Sequence, residues 1–193
     1  MPSTAFIRWF SSRATALDEL EAAHQAVGGS GPGRRFATQQ INHAYAVLLS
    51  AQFQGFCRDI HSEAVDHLAR LLVPAHFHAT FNSEFVGNRK MDRGNPNPGN
   101  IGTDFNRLGL VFWVEVVAHH ARSGERRAAL EDLNTWRNAI AHQDFSGIIV
   151  SGGRTTLHLA DVQAWRKACD GLGKSFDGVL QTYLQRITGT APW

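Results

Sequence analysis

Cysteine is scarce in this sequence, with only Cys57 and Cys169 among 193 residues. A secreted scaffold stapled by disulfides carries more of them in a shorter, loopier chain, so that class is excluded. Both fall in apolar-periodic segments and read as buried thiols. Long hydrophobic runs are missing too. A membrane-spanning helix needs about 20 apolar residues, and the longest candidate, Leu108 to Ala118, is shorter and contains Glu115. Met1 to Phe10 holds no unbroken apolar stretch of signal-peptide length. A cytoplasmic protein with no membrane partner is therefore expected. Charge of one sign is also lacking: 19 Lys+Arg against 17 Asp+Glu leave a formal net charge of +2. The chain is no polycation, and composition neither requires nor excludes a nucleic acid partner.

What is present is an ordinary globular balance, 43% hydrophobic and 19% charged, enough to bury one core. The dominant pattern is apolar spacing of three and four. Ile41, Tyr45, Leu48, Leu49, Phe53, Phe56, Ile60, Ala64, Leu68 and Leu71 place one wide apolar face on a long helix from about Thr38 to Leu72. Before it, a helix over Thr4–Val27 carries a broken stripe of Phe6, Phe10, Leu17 and Leu20, and stops at the Gly28–Gly33 run. Pro74 ends the long helix or starts a short piece, Ala75 to Phe81. Gly87 to Gly102, with its Asn/Pro/Gly run, reads as a long loop of the kind that carries function. Thr103 can cap a helix through Ala121, and Ser123-Gly124-Glu125 opens another that runs to His142 along Leu130, Leu133, Trp136 and Ile140.

Ile148–Val150 and Thr155–Leu157, separated by Ser151-Gly152-Gly153-Arg154, predict a short β-hairpin. Asp161 opens a final helix through Val162, Trp165, Cys169, Leu172, Phe176, Val179, Tyr183 and Ile187. The fold class is thus all-α: a bundle of about five helices with one hairpin before the last. An N-terminal helix and Gly-rich linker occupy residues 1–36, the helical domain 37–187, and a tail 188–193.

Apolar stripes are explained by bundle packing, so the informative residues are those that interrupt them. Arg137 and Asn138 sit between Trp136 and Ile140, with His142 near the helix end. An Arg offers a fixed fork of donors suited to phosphate or carboxylate. A His gains and loses a proton near neutral pH, and an Asn both donates and accepts. These are parts for handling a phosphodiester without a metal. Spacing alone favours a structural reading, in which Arg137 pairs with Glu131 or Asp132 and His142 is a cation at a helix C-terminus. An offset of five also turns the two side chains about 140° apart.

Arg137-Asn138-Ala139-Ile140-Ala141-His142 resembles the motif of the HEPN superfamily. The order of elements is most similar to its RiboL-PSP-HEPN branch, over about residues 37 to 184. The resemblance implies a helical bundle that dimerises, joining two motifs in one cleft. It further implies a metal-independent endoribonuclease of toxin–antitoxin or phage-defence systems, with RNA as substrate, no cofactor, and an antitoxin protein as a partner. On that basis Arg137 and His142 are the catalytic candidates and Asn138 binds substrate. His142 would assist proton transfer as the ribose 2′-hydroxyl attacks phosphorus, and Arg137 would stabilise the developing charge. The alternative is a non-catalytic HEPN module that binds RNA or a protein. Related sequences often place an acidic residue midway along the long helix; here Gln54 stands there, with Asp59 and Glu63 beyond.

Other patterns carry less. Glu115 and His119 are four apart on a helix with no second pair, and His76 and His78 flank Phe77; no metal site is expected. Arg34-Arg35 and Arg89 to Arg93 read as solvated surface, with phosphate steering second. The tryptophans Trp9, Trp113, Trp136 and Trp165 read as packing residues, and Trp193 has no assigned role.

Overall fold

The computed structural model describes residues 1–28, 36–148 and 156–193. The described residues are helical, with no strand among them. In chain order they form α1 (Thr4–Arg8), a π-helical turn (Trp9–Arg13), α2 (Ala14–Gly28), α3 (Phe36–Leu72) and a 3₁₀ turn (Ala75–Phe77). Then follow α4 (His78–Gly87), α5 (Lys90–Arg93), α6 (Pro98–Asn106), α7 (Phe112–His119), α8 (Ser123–His142) and α9 (Leu159–Thr188). The long helix α3 is the spine. It packs against α2, α8 and α9, and α8 and α9 pack on each other. No helix of the described residues is long and apolar enough to cross a membrane.

The core is aromatic. Phe176 of α9 lies 4.8 Å from Phe112, 5.6 Å from Trp113, 6.0 Å from Phe53 and 6.2 Å from Phe105, ring centre to ring centre. Trp9 closes this cluster against Phe53 and Phe56, so the N-terminal helices share the core of α3 and α9. Trp136 and Trp165 are buried as well, and Trp193 packs against the core's edge. Cys57 and Cys169 are free and fully buried, and burial pushes both thiols up.

Five expectations need correction or bounding. The N-terminal stripe holds at Leu17, which is buried, and at Leu20, which packs on the core, but its first half is Ala5 and Trp9, whereas Phe10 is 39% exposed. Steps of four drift about 40° on an α-helix. The wider π turn at Trp9–Arg13 takes up that drift and keeps residues 5, 9, 13 and 17 facing α3. Gly87 to Gly102 is not one loop, because α5 and the start of α6 lie within it. The carboxylate of fully buried Asp104 accepts the Lys90 and Met91 amides at 2.7 and 2.8 Å, which seats α5. Asn97 caps α6 by accepting the Asn100 amide at 2.8 Å, with Pro98 in the first turn.

The helix expected from Thr103 to Ala121 is broken between α6 and α7. Gly109 adopts φ +93°, where a Cβ would also meet the Tyr183 hydroxyl. The hairpin expected over 148–157 falls largely on residues 149–155, which lie outside the described residues; Ile148 and Thr156–Leu157 on either side are not in strands. The final helix begins at Leu159, before Asp161. Asp161 serves as its capping acid instead, accepting the His158 amide at 2.9 Å.

Candidate functional site

The inward face of α8, Leu130, Leu133, Asn134, Trp136 and Ala139, is buried against α3 and α9, while Glu131, Thr135, Asn138 and His142 face outward. The helix stops because Gln143 takes the left-handed conformation, φ 54°. Its amide donates to Ile140 O at 3.3 Å and the Asp144 amide to Ala139 O at 3.1 Å, satisfying two terminal carbonyls. The chain then folds back. Phe145 stacks on His43 of α3 at 5.6 Å and lies 6.1 Å from Trp136. Asp144 Oδ1 accepts both the Ser146 amide at 3.0 Å and its hydroxyl at 2.7 Å. These Ser146 hydrogen bonds, with a smaller contribution from His142, hold the Asp144 carboxyl below its ordinary range.

This turn and the outer face of α8 enclose a groove of about 400 Å³. Thr135, Asn138, His142, Asp144, Ser146 and Ile148 line it. Asn138 and His142, four apart, therefore point into one space. Arg137 does not line the groove, as the 140° offset anticipates, but it reaches the site through Asn138: its Nη1 donates to Asn138 Oδ1 at 3.3 Å. The ion pair with Glu131 or Asp132 is not formed, and Arg137 has no carboxylate partner among the described residues.

A second donor reaches the same oxygen. Asn95 Nδ2 donates to Asn138 Oδ1, so the segment between α5 and α6 forms the flank of the site. That segment is tied down on both sides. Gln54 of α3 donates to Met91 O, and to Gly94 O at 2.9 Å. Buried Asn134 donates to Pro96 O at 3.1 Å and accepts the Ser50 hydroxyl at 3.3 Å. Trp113 Nε1 holds Pro98 O at 2.7 Å. Gln54 thus has a structural role, holding this segment on α3. Asp59 pairs with Arg13 at 2.9 Å and Arg8 at 3.5 Å, and Glu63 accepts the Thr4 and Ala5 amides.

The remaining candidates lie elsewhere. Glu115 and His119 line a small cleft of about 130 Å³ with Tyr183 and Arg186. No group of three or more His, Cys, Asp or Glu that could hold a metal occurs among the described residues. His78 Nε2 lies 2.8 Å from Val73 O, and the His76 ring packs tilted against Phe77. Arg89 is not solvated surface: it is 7% exposed, and its guanidinium donates to Arg58 O, Ser62 Oγ and Asp92. Arg34 and Arg35 lie outside the described residues.

Asn95, Asn134, Asp144 and Ser146 were not anticipated as site residues. Only the loop that contains Asn95 was marked as functional, and no spacing links position 95 to 138. Searches of protein-family models, of curated proteins and of solved structures give no match to this chain.

Proposed function

We propose that this chain is a metal-independent endoribonuclease of HEPN type, working as a homodimer whose two copies line a composite cleft. The observation that carries the reading is the pairing of Asn138 and His142 in one open groove, with Arg137 joined to Asn138 and no carboxylate partner for it among the described residues. A guanidinium without an internal acid is available to an external anion. In the reaction the ribose 2′-oxygen bonds to phosphorus as the bond to the 5′-oxygen breaks. Products end in a 2′,3′-cyclic phosphate and a 5′-hydroxyl. His142 moves the proton in this step; Arg137 and Asn138 hold the phosphate and oppose the charge that develops on it. Requirement for the 2′-hydroxyl makes RNA the substrate and leaves DNA uncut. A toxin–antitoxin or phage-defence setting, with an antitoxin protein as regulator, follows from the same resemblance.

The test is incubation of the purified chain with structured and unstructured RNA in EDTA, beside His142→Ala. Cutting by wild type alone, with cyclic-phosphate ends, supports the reading; cutting that persists in His142→Ala defeats it. A second reading is favoured by one observation: among the described residues no group hydrogen-bonds the His142 ring. A proton-transfer histidine is usually oriented by such a partner. A folded dimer that binds RNA or a protein, and never cuts, would establish the non-catalytic module.

A further inference from the structure

Three successive backbone carbonyls beside the groove are each held by a side-chain amide from elsewhere in the chain. Gln54 donates to Gly94 O at 2.9 Å, Asn100 to Asn95 O at 2.8 Å, and Asn134 to Pro96 O at 3.1 Å. The segment so fixed presents one side chain to the site, Asn95, whose Nδ2 donates to Asn138 Oδ1. Arg137 Nη1 donates to the same oxygen at 3.3 Å. Two donors fill both lone pairs of that oxygen. Arg137 can only donate, so turning the Asn138 amide over would set its NH2 against a guanidinium, and its orientation is determined. An exposed Asn on a helix face otherwise rotates freely, and holding it adds little to folding.

We propose that Asn95 is a positioning residue of the groove. It locks the Asn138 carboxamide so that its two N–H donors are committed to the groove, beside His142, where they meet a phosphate oxygen of the bound RNA. This rests on the nuclease reading of the same groove. Its action is confined to Asn138, which separates it from a residue that merely stabilises the loop.

The experiment is a double-mutant cycle on the full chain. Asn95→Ala is expected to lower kcat/KM for RNA about tenfold, the scale of one lost hydrogen bond near a charged ligand. Asn95→Asp keeps the shape, offers no donor to Asn138, and lowers it at least as far. The double variant Asn95→Ala/Asn138→Ala is no slower than Asn138→Ala alone. Additive losses overturn the proposal. The second readout needs no activity: the Asn138 side-chain NH2 pair in a ¹⁵N spectrum, followed during titration with inorganic phosphate. In wild type it shifts with phosphate, and in Asn95→Ala it moves from its starting position and loses that response. An NH2 pair that is the same in both proteins overturns the proposal. Should wild type cut no RNA, the nuclease reading falls, and the spectrum still decides the role of Asn95.

Discussion

Two regions of this molecule are held together in opposite ways. Around Phe176 the contacts are aromatic and buried, shared among α3, α6, α7 and α9. Along the seam where residues 94–98 meet α3, α6 and α8, the contacts are single hydrogen bonds from Gln54, Asn100, Asn134 and Asn95. Apolar burial is non-directional and scales with area, so the first region carries the stability. Hydrogen bonds add little net stability each but fix direction, and a broken one leaves a partner unsatisfied. The seam therefore contributes geometry, and the candidate site lies on the seam.

That contrast makes ordered predictions. The largest expected effect is Phe176→Ala, which should cost about 3–5 kcal/mol in urea or thermal unfolding. A loss below 1 kcal/mol would mean that the aromatic cluster is not the stabilising region. Next is pH. Burial, reinforced by the charge of Arg89, lowers the His61 pKa to about 4. The unfolded chain takes up that proton near pH 6.5, so between these values it binds more protons than the folded one. Stability is complete above pH 6.5 and falls as the pH drops towards 4, by about 3 kcal/mol in all. His61→Phe should flatten this dependence, and an unchanged slope would assign it to other groups.

Asn134→Ala comes third, at about 1–3 kcal/mol, since it strands Pro96 O and the Ser50 hydroxyl. Its loss of RNA cleavage should exceed its loss of stability when both are expressed as free energies; the reverse order would erase the distinction between the regions. The smallest effect is at Gln143, whose left-handed backbone a glycine adopts without strain. Gln143→Gly should raise stability by at most about 1 kcal/mol, the relieved strain being offset by glycine's greater unfolded freedom. A lower melting temperature would show that the Gln143 Nε2 bond to Ile140 O, 2.7 Å long, matters more.

Much of the helical framework was legible because apolar spacing is a local property. The bounds expected for the helices now seen as α3 and α8 agree with Phe36–Leu72 and Ser123–His142 to within two residues. Asn97-Pro98 carries a helix-start signal that the density of glycine and asparagine around it obscured. Of the site, Arg137, Asn138 and His142 were singled out in the sequence and their roles rest on resemblance, while the sharing of one groove by Asn138 and His142 is seen in the structure.

By itself the sequence determined the all-α class, a long amphipathic spine, and a polar triplet, Arg137, Asn138 and His142, near a helix end. Those are consequences of what each residue's neighbours are along the chain. Only the tertiary structure decided that Phe10 is left outside the core, that Arg89 is buried, and that Asn95 meets Asn138 across 43 positions. Such contacts depend on how helices are brought together, and no local spacing records which distant polar group will satisfy another.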